Sequence, residues 1–114
     1  MAFDYPKQPW EKEIIGVDFS RRVPPGSTVL PVSVNITDVS LEETVSLSGA
    51  IASNYSPHIS ISSVTLTGVT GREKILVALI SDGVSGFKYR LSFRVTLSDN
   101  QRKEDDVWVI VKEV

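Results

Sequence analysis

A stretch of strict two-residue alternation, FKYRLSFRVTL from Phe87 to Leu97, most strongly limits what this chain can fold into. Its apolar side chains occupy every second position. The polar side chains between them are Lys88, Arg90, Ser92, Arg94 and Thr96. Successive side chains of a strand point to opposite faces, so the pattern predicts a half-buried β-strand. The polar turn around Asp99-Asn100 and the apolar VWVIV after it predict a hairpin.

Five other segments carry alternating or continuous apolar residues of strand length. They are EIIGVDFS (13–20), TVLPVSVNI (28–36), TVSLSGAI (44–51), ISISSVTLTG (59–68) and KILVALIS (74–81). Pro31 predicts that 28–36 is an edge strand, because proline has no N–H for a central ladder. A change of phase at Ser62-Ser63 predicts a β-bulge, with two short strands and a kink as the alternative. DVSLEET (38–44) is the only helix-like segment, with room for one turn.

These segments predict an all-β fold, an immunoglobulin-like antiparallel β-sandwich of about seven strands with an extended N-terminal arm. In such a sandwich Tyr89, three residues after Gly86, has the position of the tyrosine corner, whose hydroxyl ties the strand to the preceding connection. Gly83 and Gly86 are expected to take positive φ in that connection. KILVALIS is apolar on both faces, which predicts a central strand with cover on each side.

Composition gives no sign of a nucleic-acid or membrane partner. The 114 residues suffice for one domain, and 12 basic against 14 acidic side chains leave no positive excess to attract nucleic acid or an anionic membrane. No apolar run approaches the ~18 residues that span a bilayer. The N-terminus has no basic or apolar leader pattern, so we expect synthesis in a cytoplasm.

Catalytic and cofactor sites are not predicted. The chain has no cysteine and one histidine, His58, in the loop SNYSPHIS, where a surface role is the simplest interpretation. No nucleophile-elbow, phosphate-loop or zinc-protease motif occurs. The acidic run Glu104-Asp105-Asp106 favours a solvated hairpin loop over a calcium site, because calcium needs well-spaced oxygen ligands. Asn35-Ile36-Thr37 and Asn54-Tyr55-Ser56 match the glycosylation pattern, which we attribute to chance.

The first thirteen residues, MAFDYPKQPWEKE, differ from the rest. They hold three of the chain's nine aromatic residues, Phe3, Tyr5 and Trp10, interrupted by Pro6 and Pro9, and show no alternation. We therefore predict an extended arm over residues 1–13 and the sandwich over residues 14–114. Trp10 is expected either to fold back over the open end of the sandwich or to bind a neighbour. Phe3 and Tyr5 are expected to lie beyond the core and bury their rings against a partner.

A second candidate partner-binding surface is the outward side of the long strand. Lys88, Arg90 and Arg94 form a basic stripe there, which on an edge strand would suit an acidic partner or a phosphate backbone. The alternative is a solvated face that protects the sheet from edge-to-edge pairing.

Several short motifs resemble a family of small β-sandwich virion proteins of tailed bacteriophages and prophages, the fibre-to-tail adaptor or neck-associated proteins. In chain order the motifs are Lys7-Gln8-Pro9-Trp10-Glu11, Val17-Asp18-Phe19-Ser20, Gly26-Ser27-Thr28, the Gly83, Gly86 and Tyr89 corner, and Leu97-Ser98-Asp99-Asn100. The resemblance covers nearly the whole chain.

The resemblance implies a non-enzymatic structural protein of the neck or tail without a cofactor, located in the virion. Its expected partners are portal, adaptor, tail or fibre subunits and further copies of itself in an oligomer or ring. Two alternatives stay open at this point: a bacterial immunoglobulin-like surface module that binds protein or carbohydrate, and a fragment of a carbohydrate-active enzyme. The last would need two carboxylates suitably spaced in a cleft, which the strand pattern does not supply.

Overall fold

The computed structural model of the chain describes residues 3–33, 36–47, 59–70 and 72–112. The strands in these ranges are β1 (Phe3–Lys7), β2 (Glu13–Asp18), β3 (Asp38–Ser46), β4 (Ile59–Val69), β5 (Arg72–Asp82), β6 (Phe87–Thr96) and β7 (Arg102–Val111). Sheet A has the strand order β1-β7-β6-β3, and sheet B has the order β2-β5-β4. A single 3-10 turn, Ser20–Arg22, follows β2.

The two sheets enclose one apolar core. Every second residue of β2 and β5 points inward, and the same alternation in β6 and β7 supplies the other wall. Phe19, Tyr89 and Phe93 are the largest fully buried side chains. The predicted all-β sandwich is confirmed. Its immunoglobulin-like connectivity stays a prediction, although β2-β5-β4 facing β7-β6-β3 is the order that B-E-D and G-F-C strands have in such domains.

The corner before β6 has the predicted form. The Tyr89 hydroxyl accepts a hydrogen bond of 2.8 Å from the backbone N–H of Val84. Gly83 has φ +97°, and a Cβ built on it would lie 2.8 Å from Cγ2 of Val111. Glycine is therefore required at this position both for its backbone angle and for the close approach of β7.

Two further strand predictions are confirmed. The register of β4 against β5 shifts between Ser62 and Thr65, and Ser63 has φ +52°, so a bulge carries Val64 and Leu66 back towards the core. β5 lies between β2 and β4, as expected of a strand that is apolar on both faces.

The predicted edge strand over 28–36 is wrong. Among its described residues, 28–33 and 36, the pairing consists of isolated bridges, Val29 with Leu97 and Ser33 with Thr37. Pro31 has no N–H to continue the ladder, and the N–H of Ile36 bonds back to the carbonyl oxygen of Ser33 in a turn. Val29, at the start of this segment, packs on the core.

The edge of sheet A beside β6 is formed instead by β3, which includes the segment where the sequence suggested a helical turn. DVSLEET lies inside β3, where Val39 is buried and pairs with Phe93. The free edge of β6 supplies hydrogen-bond partners that an isolated helical turn does not have. β3 ends at Ser46, within the strand predicted over 44–51, and Leu47 after it is exposed. Residues 48–51 lie outside the described residues.

Residues 3–7 of the segment expected to be an arm form β1, which runs parallel to β7. Tyr5 pairs with Val109 and packs against the core, so the expectation that it lies beyond the core is wrong. Alternation was hard to recognise here because Pro6 occupies an exposed position in a very short strand. The boundary between residues 13 and 14 stays a prediction.

Candidate partner-binding surfaces

Residues 8–11, here named the Trp10 turn, carry the chain from β1 in sheet A to β2 in sheet B. The N–H of Glu11 donates to the carbonyl oxygen of Gln8 at 3.1 Å. The N–H of Gln8 in turn donates to Oε1 of Glu11 at 2.7 Å. The same residue therefore closes the turn through both its backbone and its carboxylate, and Pro9 fixes one φ inside it.

Lys7 braces this turn from within the fold. It is only 3% exposed. Its ammonium group donates to the carbonyl oxygens of Gln8 at 2.8 Å, Asp82 at 2.6 Å and, at a longer 3.4 Å, Pro9. Burial lowers the pKa of Lys7, and the carboxylates of Asp82, Glu11 and Glu13 partly oppose that change. A buried cation surrounded by carbonyl oxygens joins the Trp10 turn to the end of β5.

Trp10 projects from this braced turn with 93% of its surface exposed, so the expectation that it folds back over the sandwich is wrong. Large aromatic side chains in solvent are unusual and are typical anchors in protein interfaces. The contacts of Lys7 and Glu11 hold the backbone of the turn in one shape, so a contact made through Trp10 would cost little backbone entropy. Among the predicted partner-binding residues, Trp10 has the geometry of an anchor.

Phe3 and Tyr5 have different positions. Phe3 pairs with Val107 at the start of β1. Tyr5 is half-buried against the molecule's own core, so its ring already has a contact surface. A role for these two residues in partner binding remains a proposal.

The predicted basic stripe lies on the outer face of sheet A. β6 is central rather than at an edge, and carboxylates from both neighbouring strands flank its arginines. Arg90 contacts Glu43 and Asp106, each at 3.2 Å. Arg94 contacts Glu42 at 2.9 Å and Glu104 at 2.7 Å. These contacts raise the pKa of both guanidinium groups. The outer face of sheet A therefore carries both positive and negative side chains and is not a basic surface.

Lys88 makes a different kind of contact. Its ammonium nitrogen lies 4.7 Å from the centroid of the Trp108 ring, a cation–π contact on the outer face. Trp108 is half-buried on β7, and the lysine covers part of its ring. Lys88 therefore has a structural role beside its proposed role in binding.

The acidic run lies within β7 and not in a hairpin loop. Glu104 pairs with Arg94, Asp105 lies 3.8 Å from Arg22, and Asp106 accepts a 2.8 Å hydrogen bond from the Ser92 hydroxyl. Neighbouring residues of a strand point to opposite faces, so the three carboxylates meet different partners. Arginines on other segments balance their charges. Within the described residues, no group of three or more His, Cys, Asp or Glu side chains is placed to hold a metal ion.

His58 and the Asn54-Tyr55-Ser56 triplet lie outside the described residues, as does Asn35. In the part of the chain that the structure describes, no helix is long and apolar enough to cross a membrane. Lys7 and Glu11 are functional candidates that sequence reasoning missed as such. Both were visible as members of the Lys7-to-Glu11 motif, but nothing in the motif showed that they brace the tryptophan between them.

Comparison with known proteins gives one match. No curated protein and no solved structure matches the chain significantly. A family model described as podophage GP4 fiber-tail adaptor protein gp77 matches residues 7–110, which include the Trp10 turn and all strands from β2 to β6. The match spans most of the chain and agrees with the resemblance seen in its motifs. The chain therefore belongs to the podophage GP4 fiber-tail adaptor protein gp77 family, a family of phage structural proteins.

Proposed function

We propose that this protein is a non-enzymatic component of the virion that joins fibres to the tail or neck of a podophage. The family match supports the adaptor role. Trp10 is the single structural observation that carries the proposal further, because a 93%-exposed tryptophan on a braced turn suits a protein whose work is to bind others. Portal, tail or fibre subunits are its proposed partners, with several copies arranged around the tail axis.

The proposed contact surfaces are the Trp10 turn and the outer face of sheet A. The first offers one rigid apolar anchor. The second offers Lys88, Arg90 and Arg94 interleaved with carboxylates, a pattern that selects a partner by the arrangement of charge rather than by its sign. Phe3 and Tyr5, on the strand before the Trp10 turn, are proposed to join the first surface, and Tyr5 would do so through a movement of β1 away from the core.

The test uses the phage that encodes the chain. Mass spectrometry of purified particles is expected to find the polypeptide, and particles made without its gene are expected to keep tails but lose fibres in electron micrographs. Complementation with the wild-type gene should restore the fibres and controls for effects on neighbouring genes. Fully fibred particles that lack the polypeptide would contradict the adaptor role.

A further inference from the structure

β2 lies at one edge of sheet B, with β5 on its other side. β1 leaves this edge uncovered because it pairs with β7 in sheet A. The N–H of Phe19 donates to the carbonyl oxygen of Lys74 at 2.8 Å and so continues the β2–β5 register by one residue. Backbone groups alternate between the two sides of a strand, so those of Ile14, Gly16 and Asp18 point away from β5. Among the described residues they have no backbone partner.

The other three sheet edges carry features that oppose pairing with a further strand. β1 contains Pro6, and the registers of β3 and β4 against their neighbours both shift within the strand. Prolines and bulges at an edge are means by which natural proteins prevent edge-to-edge pairing. β2 has no proline and keeps one regular register along its whole length. Its edge is therefore open to another strand.

We propose that β2 pairs with β2 of a second copy as an antiparallel strand, so that the two B sheets join into one. In the proposed register, Ile15 of one copy lies opposite Ile15 of the other, on a two-fold axis. Lys12, one residue before β2, then lies opposite Asp18 of the second copy, and Ile14 lies opposite Gly16. The two-fold axis makes each of these contacts twice.

The register brings opposite charges together at both ends of the paired strands. Lys12 and Asp18 are both exposed. Oδ1 of Asp18 accepts a 2.8 Å hydrogen bond from the N–H of Ser20, which leaves Oδ2 available to the ammonium of Lys12 from the second copy. Opposite charges that face each other across two strands favour their pairing.

Ile14 and Gly16 are complementary in shape. Ile14 is 70% exposed, which is unusual for a large aliphatic side chain within a strand. A Cβ built on Gly16 would lie 2.8 Å from Cγ1 of Val77, so glycine keeps the surface beside that valine free. In the proposed pair, Ile14 of one copy covers Gly16 of the other and contacts Val77 there. Apolar surface of both copies is thereby removed from water.

Neighbouring registers fit less well. A shift by one residue sets exposed side chains opposite buried ones and also misplaces the free backbone groups. A shift by two residues in one direction sets Gly16 opposite Gly16 and Ile14 opposite Asp18. The same shift in the other direction sets Lys12 opposite Gly16. Neither of these arrangements pairs the charges.

The association is expected to be reversible and to stop at a dimer. Each Ile14–Gly16 pair can exchange both of its N–H···O bonds, but one strand edge buries less than the about 1,200–2,000 Å² of a stable interface. Each copy has only one β2 edge, so the contact does not propagate. The inference goes beyond the proposed function because it concerns how two copies join, whichever tail or fibre subunit they bind.

A charge exchange tests the register in solution. Lys12→Glu and Asp18→Lys each set like charges opposite each other in a homodimer, and sedimentation equilibrium should show a dissociation constant about tenfold higher for either variant alone. An equimolar mixture restores both opposite-charge pairs and should form a heterodimer with about the wild-type dissociation constant. Two weakened variants that do not rescue each other would contradict the register.

A proline tests the backbone contact. Ile14→Pro removes an N–H that points away from β5, so the β2–β5 ladder keeps its bonds while the dimer loses its own. This variant should remain a monomer. Val69→Ser, at a 63%-exposed apolar position on β4, is the control and should associate like wild type. Circular dichroism melting of each variant separates loss of pairing from loss of fold.

Amide hydrogen exchange followed by NMR locates the contact. The amides of Ile15 and Val17 face β5 and should be protected at every protein concentration. Those of Ile14, Gly16 and Asp18 should exchange fast in dilute protein and become protected as the dimer forms. A dimer without that protection, or a wild type that stays a monomer at millimolar concentration, would overturn the inference. Protection that appears only when another virion protein is added would likewise overturn it, because the edge would then take a foreign strand.

Discussion

Single residues decide how the ends of the strands are fixed. Tyr89 and Lys7 both reach from a strand to a neighbouring connection, one through a hydroxyl and the other through an ammonium group. In each case the polar atom meets a backbone group that would otherwise lose a hydrogen-bond partner. Such buried contacts are costly to remove because the partner is left unsatisfied.

Tyr89→Phe should destabilise the fold by about 1–2 kcal/mol, because the buried N–H of Val84 loses its acceptor. Urea unfolding followed by circular dichroism measures the change. Tyr5→Phe is the matched control, since it makes the same chemical change at a half-buried ring for which the described residues supply no hydrogen-bond partner. Equal effects of the two substitutions would contradict the structural role of the Tyr89 hydroxyl.

Lys7→Met keeps the aliphatic stem of the lysine and removes the charge. At pH 7 it should cost about 1–3 kcal/mol, because backbone carbonyl oxygens at Gln8 and Asp82 lose a charged donor. The readout is the midpoint of urea unfolding, with Lys12→Met as the control at an exposed position. An unchanged midpoint in Lys7→Met would show that the ammonium does not brace the turn.

The difference in stability between wild type and Lys7→Met is expected to change with pH in a definite direction. Burial lowers the pKa of Lys7 in the native state below its ordinary value of 10.5, so the unfolded chain holds this proton to higher pH than the native protein does. Between the lowered pKa and 10.5, the contribution of Lys7 to stability therefore rises with pH. The advantage of wild type over Lys7→Met should grow in alkaline buffer, and a decline there would reverse the assigned direction.

At the scale of elements, the parallel β1 strand is the least secure part of sheet A. All residues of the apolar core lie between Ile15 and Val111, and β1 adds Tyr5 and Lys7 at one edge. Its five residues pair only with β7. We therefore propose that the N-terminal segment is separable from the sandwich, with the boundary near residue 13.

Deletion of residues 1–9 should leave a folded sandwich with a melting temperature lower by about 10 °C. The loss of Tyr5 burial and of the Lys7 hydrogen bonds accounts for about 2–3 kcal/mol of that change. Thermal denaturation and dispersion of the amide proton spectrum measure stability and fold. A collapsed spectrum would show that β1 belongs to the indispensable core.

The sequence predicts an element when the residue pattern of that element decides its secondary structure. It fails when pairing with a distant strand decides the secondary structure instead. β2, β4, β5 and β6 were predictable because each alternates or is continuously apolar over its own length. β1 and the first half of β3 were not, because β7 and β6 offer edges whose position no local pattern reveals. Pro31 was expected to mark an edge strand, but its missing N–H leaves isolated bridges on either side of it and no strand.

The same reasoning applies to the site. Trp10 was identifiable from its type and its proline-rich neighbourhood, whereas the carboxylates beside Arg90 and Arg94 come from β3 and β7. The stripe is basic along β6 alone, but β3, β6 and β7 together carry both positive and negative side chains on this face.

For the whole molecule, the charged side chains on the outer face of sheet A are expected to contribute little to stability. Its ion pairs are partly exposed to solvent, and such pairs contribute about 0–1 kcal/mol each. Arg94→Ala should therefore shift the urea midpoint only slightly, and 1 M salt should shift the wild-type midpoint equally little. A decrease of more than about 2 kcal/mol in the unfolding free energy of Arg94→Ala would show that these ion pairs form a stabilising network instead.

The pairing of the first strand with the last has a consequence for the order of assembly during synthesis. The ribosome releases β1 long before β7 exists, so β1 can pair with its neighbour only after β7 has been made. The backbone bond from the N–H of Lys112 to the carbonyl oxygen of Lys7, 3.0 Å long, adds to this pairing. A chain that stops before β7 would therefore hold the strand next to Trp10 less firmly. Trp10 is expected to reach its final position on the sandwich only once β7 is in place.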